Sequence, residues 1–553
     1  LLGITTSCKV ESSSSSDSSS SPAESNPAGK VALTFTYSSE KEDWIKQVTA
    51  DFNRQDKRIA GGKSIAVDAI AMGSGDCIDE ILNGTRKPHI ISPASGAFIK
   101  LGNAQSRAKT GKDLIGSTEN LVLSPVVIAM WKPMAEALGW GKTPVGWGEI
   151  LELSKNGAGW GSKGFPQWGP FLFGHTSPET SNSGLIALFA EAYAGAGKVS
   201  NLTADDANSE KVARYVSAIE QSVVHYGTST GFFGKKMFSN GPQYLSAAVL
   251  YENMVIDSYD KSKYTMPFPV VAIYPKEGTF WSDHPAGVVE REWVGPEERE
   301  AAKVYIDFLL ARQQQEKAVA LGFRPGSLDV PLTAPVDTLH GVEPKEPKTT
   351  LEVPAAEVMN ALLKVWSTNK KHADITLVFD TSGSMKEDRR MENARPGALQ
   401  MVSLLGDEDL FSLLPFSDTP NWAFQNAPLK ENRKRVESTV ESIYPSGGTA
   451  LYDSINVAFQ EKLSRSQEDR NRISAIVVLT DGADTKSKMS LEELLKEIRS
   501  DNETRNIRVF TIGYGSDAQK DVLQQIADAT NAKFFEGKPE NIRTIFREIS
   551  TFF

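Results

Sequence analysis

The chain is 553 residues long, room for about three to five domain-sized units, and its 40% hydrophobic and 24% charged residues are an ordinary globular balance. With 60 Lys and Arg against 70 Asp and Glu, the net charge is −10 and no basic stripe is available to displace phosphate counterions, which excludes a nucleic-acid partner. No apolar run reaches the ~18 residues of a membrane helix, and two Cys and six His without a Cys/His cluster argue against a disulfide framework and a zinc site.

The first segment runs Leu1-Leu2-Gly3-Ile4-Thr5-Thr6-Ser7-Cys8 and continues into a Ser-rich tract from Lys9 to Lys30. Such a tract buries too little apolar surface to offset its ordering entropy, so residues 1–30 are expected to be a signal remnant and a disordered tether, the stretch from Lys9 to Gly29 spanning roughly 25 Å on average. A short apolar piece, small residues, one Cys and a polar tether resemble the end of a bacterial lipoprotein signal peptide, although Thr5 stands where that family usually has Leu. The resemblance implies that Cys8 carries a lipid. The chain would then be a cell-membrane lipoprotein facing the periplasm or cell exterior, touching the membrane through that anchor only. Cys77 is left as a small buried hydrophobe.

From Val31 short apolar strands alternate with amphipathic helices, the pattern of α/β layering. Val31–Tyr37 and Ile65–Met72 read as strands with a helix at Trp44–Arg54 between them. The longest apolar run, Leu121–Trp131, is interrupted by Ser124 and Pro125. The aromatics Trp140, Trp147, Trp160, Trp168, Phe171 and Phe173 lie among many glycines; a sugar-stacking platform is one reading, a loop region packing its own small core the other. His175 and His225 have no partners at metal spacing and read as structural. Pro296 with Glu297 and Glu298 starts a helix, with Val304, Phe308 and Ala311 expected on its buried face, and Gly322 stops the next turn. After a Pro-rich break from Pro331 to Pro354, Val358, Leu362 and Trp366 stripe a closing helix over 354–366. Strands at Ile375–Phe379, Leu410–Phe416, Ile476–Leu479 and Val509–Ile512 then imply a mainly parallel, doubly wound sheet, and the chain divides near residue 370.

Several phrases of the first module carry a family resemblance: Ala71-Met72-Gly73-Ser74-Gly75 after a strand, Ser181-Asn182-Ser183-Gly184 before a helix, Val249-Leu250-Tyr251-Glu252-Asn253, Val271-Ala272-Ile273-Tyr274-Pro275 and Gly322-Phe323-Arg324-Pro325. In this order they resemble the extracellular solute-binding proteins of bacterial importers. The resemblance implies a periplasmic-binding-protein-like module over 31–370. One lobe is expected from 31–120 plus 264–324, the other from 121–263, with ligand in the cleft. Gly- and Ser-rich loops at strand ends and helix starts make backbone N–H groups available to an oxyanion or carboxylate. Ser38, Ser39, Ser74, Ser95, Ser181, Asn182 and Ser183 are the candidates as a set, since each alone also suits a cap. Glu252 and Asn253 face the cleft or cap a strand end.

In the second module Asp380-Thr381-Ser382-Gly383-Ser384 follows a strand, so it lies at the edge where doubly wound sheets bind ligands. Asp380, Ser382 and Ser384 alternate, which lets three hard oxygens converge. Gly447-Gly448-Thr449 adds an oxygen-bearing loop with close backbone approach, and Asp481 ends another strand at the same edge. These five residues are similar to the metal-ion-dependent adhesion site of von Willebrand factor type A domains. The resemblance, over 371–553, implies that Ser382, Ser384 and Thr449 hold a divalent cation directly, with Asp380 and Asp481 acting directly or through water. An all-oxygen donor set selects Mg²⁺ or Mn²⁺ and leaves a position for an acidic side chain of a protein partner. Pro396, inside the expected first helix, should kink or shorten it.

The expected function is therefore binding rather than catalysis: no Gly-x-x-x-x-Gly-Lys-Ser/Thr loop and no nucleophile–base arrangement is present. A surface-anchored lipoprotein would grip a protein through its cation-bearing head, while the two-lobed module binds a small solute or serves as a recognition scaffold. The alternative is the solute-binding component of an importer, with the head as docking adaptor.

Overall fold

The computed structural model describes residues 29–227, 229–465, 472–499, 507–530, 532–550 and 552. Cys8 and most of the expected tether lie outside them. The first half of the chain supplies β1 (Lys30–Ser38), β2 (Ser64–Met72), β3 (Ile90–Ser92), β4 (Ile115–Asn120), β5 (Val122–Trp131), β6 (Phe173–Thr176), β7 (Val223–Gly227), β8 (Ala247–Tyr251), β9 (Val270–Ile273), β10 (Trp281–Ser282), β11 (Pro285–Val289) and β12 (Arg324–Pro325). They form two sheets. The first runs β2-β1-β3-β11-β4 and the second β10-β5-β8-β6-β7, with β9 and β12 also paired to β5.

In the first sheet β1 is parallel to β2 and β3, and β11 is antiparallel to its neighbours. Leu33, Phe35 and Tyr37 of β1 pack on Trp44, Ile45, Val48 and Phe52 of the helix Glu42–Arg54, and on the helix Pro296–Leu310. That last helix buries Ala301, Ala302, Tyr305, Ile306 and Leu309 rather than the expected face. Val304 and Phe308 sit on its flank, and Ala311 is exposed at the break before the next helix.

The lobes divide differently from the sequence expectation. Val270–Ile273 pairs antiparallel with Ile128–Trp131, so the chain remains in the second lobe well past residue 264. It returns to the first sheet only at Pro285, where β11 pairs with β4. An apolar strand such as Val270-Val271-Ala272-Ile273 does not encode which of two sheets it joins, so the register decides the boundary. The aromatics at 140–173 pack on one another: Trp160 meets Trp168 and Phe171 edge-on at 5.5 and 5.9 Å, and Trp147, Trp160, Phe171 and Phe173 are buried.

The helix Ala356–Asn369 buries Val358, Leu362 and Trp366 and leads into the second half. There β13 (Ala373–Asp380), β14 (Leu410–Phe416), β15 (Phe424–Pro428), β16 (Ile473–Thr480), β17 (Arg508–Tyr514) and β18 (Phe534–Gly537) stand in the order β15-β14-β13-β16-β17-β18. All pairs are parallel except β14–β15. β13 is buried along its whole length, as a central strand covered on both faces must be. The helix Arg390–Leu404 runs on through Pro396; the irregular backbone falls before it, at Glu387 and Asp388. Lys236 lies 3.9 Å over the Phe552 ring, and Arg508 lies 5.6 Å from the Tyr244 ring, which joins this module to the second lobe.

Candidate functional site

Two groups of polar side chains gather at strand ends, one in each module. In the second module β13 delivers Asp380 to the carboxyl edge of the sheet. Its carboxylate accepts from the Ser382 amide at 2.7 Å and from the Thr480 hydroxyl, at the end of β16, at 2.5 Å. The Ser382 and Ser384 hydroxyls are 3.0 Å apart, and Ser384 donates to Asp481 at 2.7 Å. The Gly383 amide donates to the Gly447 carbonyl at 2.9 Å, which ties the second loop to the first. A Cβ added at Gly482 would lie 3.8 Å from the Ser384 hydroxyl and 4.0 Å from that of Thr449. All five oxygen-bearing residues expected from the sequence are therefore brought to one cup.

Asp380 and Asp481 are both fully buried, and Asp380 pairs with no basic side chain among the described residues. Burial pushes the Asp380 carboxyl up to about 6; the Thr480 and Ser382 bonds oppose this, and the charge of Asp481 adds to it. The donor set of three hydroxyls and two carboxylates fits a hard divalent cation, which would relieve the clustered negative charge. Sequence reasoning missed Arg390. This residue is only 4% exposed, and its guanidinium reaches Asp481 at 2.9 Å and Asp517 at 2.8 Å.

In the first module the serines expected to bind ligand are at the junction of the lobes, but they bind each other. Ser39 donates to Ser229 across the junction at 2.9 Å and accepts from the Gly231 amide at 3.1 Å. Ser95 donates to Asn182 at 2.6 Å, and Asn182 in turn donates to Tyr251 and Ser282 at 3.1 Å each. Ser181 lies 3.1 Å from Thr230, and Ser183 lies 2.8 Å from Thr176. Ser38 bonds Lys41 and Glu40, while Ser74 accepts from the Ala94 amide at 3.0 Å.

Lys41, missed from sequence, is fully buried there, 3.1 Å from the Ser92 carbonyl and 3.1 Å from His284. Burial would raise the Glu40 carboxyl, but Lys41 and His284 beside it draw it down to about 2. A Cβ on Gly75 would sit 2.3 Å from the Glu179 carbonyl and one on Gly231 2.7 Å from Ser39, so only glycine allows this approach of the lobes. The groove left at the junction, lined by Ser39, Trp44 and Asn253, holds about 30 Å³. A groove of about 660 Å³ lies elsewhere, between Trp140–Val145 and Thr338–Thr349.

Glu252 does not face the cleft as a free ligand. Arg324 clamps it with two bonds of 2.8 and 2.7 Å, and Tyr274 donates to it as well. Asn253 accepts from Ser124 at 3.1 Å. Both support the second lobe.

Residues 33–324 match the family model of bacterial extracellular solute-binding proteins, and residues 374–548 match that of the von Willebrand factor type A domain. Inter-alpha-trypsin inhibitor heavy chain H4 of Sus scrofa is 29% identical over 30% of this chain, a match that takes in 18% of that protein. An uncharacterized protein of Mycobacterium tuberculosis is 21% identical over 92% of this chain and 74% of its own length. Among solved structures, a periplasmic thiamin-binding protein aligns over 62% of this chain and 98% of its own, with 16% identity and a TM-score of 0.44. Among the described residues no helix is long and apolar enough to cross a membrane.

Proposed function

We propose that this chain, which belongs to the bacterial extracellular solute-binding protein family and carries a von Willebrand factor type A domain behind that module, is a lipid-anchored surface protein that grips a protein partner through a divalent cation. Ser382, Ser384 and Thr449 hold Mg²⁺ or Mn²⁺, with Asp380 and Asp481 completing the charge. The ion supplies a Lewis-acidic position for a carboxylate of the partner. The observation that supports this reading is the Ser384 hydroxyl, 3.0 Å from Ser382 and 2.7 Å from Asp481, in a loop bonded to Gly447.

The first module then acts as a recognition scaffold, in keeping with a junction whose polar groups pair with one another. Its family membership supports a second reading: delivery of a small solute to an importer, with the head as docking adaptor. Mg²⁺ at 100 times its dissociation constant should stabilise the second module of the full-length protein by about 2.7 kcal/mol, and EDTA should remove the gain. Equal melting curves with and without EDTA defeat the cation reading. A small molecule retained in native mass spectrometry decides for the solute reading.

A further inference from the structure

The helix Asn182–Ala196 is buried almost all round, and within its apolar stretch Leu185–Tyr193 it carries one carboxylate, Glu191. Glu191 is 0% exposed and neither of its oxygens has a hydrogen-bond partner. A carboxylate in that position costs several kcal/mol unless something compensates it. A neutral carboxyl would still bury a donor that reaches nothing.

Two more ligand-bearing side chains meet it. His175 of β6 and Glu220, the last residue of the helix Glu210–Glu220, are also fully buried, and one atom from each of the three lies within 4.8 Å of the others. His175 Nδ1 is 2.7 Å from the Thr176 carbonyl, which only accepts, so Nδ1 carries a proton and Nε2 is the nitrogen turned to the carboxylates. Nε2 faces Glu220 Oε1 at 3.1 Å. A positive centre has to lie between them. A proton there serves Glu220 alone and leaves Glu191 uncompensated, whereas a divalent ion balances both carboxylates. The outer contacts are of the kind that orient metal ligands: Nδ1–H on a backbone carbonyl, and the Tyr226 hydroxyl donating to the second oxygen of Glu220 at 2.5 Å.

We propose that His175 Nε2, Glu191 and Glu220 form a buried site for a divalent transition-metal ion, zinc or manganese, separate from the oxygen cup of the second module. One imidazole and two carboxylates suit these ions, with ligand atoms about 3–3.5 Å apart when bound, so the cluster, now within 4.8 Å, would draw in by up to about 1.5 Å. The six scattered histidines argued against zinc, but the fold brings residues 175, 191 and 220 together from β6 and two helices. Full burial makes the ion structural. It would pin β6 to both helices, and Tyr226 meets Trp366 of the helix Ala356–Asn369 edge-on at 5.4 Å.

The test uses the full-length protein expressed in medium supplemented with zinc and manganese, then dialysed against millimolar Mg²⁺ to fill the oxygen cup. Elemental analysis should find about one zinc or manganese ion per chain. Glu191→Gln, which keeps the shape and removes the charge, should lower that at least tenfold while the circular dichroism stays native. Should that variant not fold, X-ray absorption of the wild-type protein decides, with one imidazole nitrogen and carboxylate oxygens expected around the metal. Wild-type protein without either ion, a folded Glu191→Gln that retains the metal, or a metal shell lacking imidazole overturns the proposal.

Discussion

The oxygen cup of the second module and the seam between the lobes of the first are built from the same residue types, mainly Ser, Thr and Asp or Asn at strand ends. They differ in what balances the oxygens. In the seam a buried Lys41 donates into the polar groups around it and Asn182 bridges both lobes, so the candidate serines and Asn182 find their partners within the protein. In the cup Asp380 and Asp481 face hydroxyls, and the basic Arg390 reaches Asp481 alone of the two. The lesson is one of placement: the positive side chain of the seam lies among its serines, whereas that of the cup reaches Asp481 and leaves Asp380 facing hydroxyls alone.

The largest expected effect tests the seam side. Glu252→Ala leaves Arg324, 9% exposed, without its buried partner and should cost the first module about 3–5 kcal/mol in denaturant unfolding. A loss well under 1 kcal/mol would return Glu252 to the ligand-binding set and blur the contrast. The cup predicts a pH signature next. Because the Asp380 carboxyl is raised to about 6 in the fold, the metal-free protein holds its proton between pH 4 and 6 where the unfolded chain has lost it. Stability of the second module in EDTA should therefore fall by about 3 kcal/mol as pH rises through that window. Saturating Mg²⁺, which binds the ionised form, should offset the fall. A flat EDTA profile in thermal melts at each pH contradicts this.

Asp380→Ala should abolish the ~2.7 kcal/mol gain from Mg²⁺ and leave the melt of the first module unchanged. If both modules shift together, cup and seam belong to one cooperative unit. The smallest effect is that of Ser39→Ala, which removes the bonds to Ser229 and the Gly231 amide and should cost about 1 kcal/mol. Faster hydrogen exchange at the Gly231 amide, with the Mg²⁺ effect intact, is the expected readout. Unchanged exchange means the lobes are held by other contacts.

How much of this could be read from the sequence follows the distance between partners. Asp380, Ser382 and Ser384 lie within five residues, and each of the other two loops carries its own short signal, so the cup was legible before any coordinates. Ser39 and Ser229 are 190 positions apart, and Ser95 and Asn182 are 87. Each serine could be named as polar and well placed, but nothing local indicated that its partner was another serine rather than a ligand. Lys41 was illegible for a related reason: in Ser39-Glu40-Lys41-Glu42-Asp43 it reads as a solvated charge run, yet the lobe junction closes over it. The misplaced lobe boundary has the same origin, since pairing of Val270–Ile273 with Ile128–Trp131 spans about 140 residues. Glu191 did leave a signal, a lone carboxylate in a helix otherwise fit for the core.

Arg390 tempers the charge of the cup. Counting buried groups, Asp380 and Asp481 against one guanidinium sum to a single negative charge, and a divalent ion seated there reverses it to a single positive one. The exposed Asp517 carboxylate on the same guanidinium cancels that remaining positive charge, so the loaded cup would be close to neutral and its attraction for a partner's carboxylate would rest on the ion's open valence.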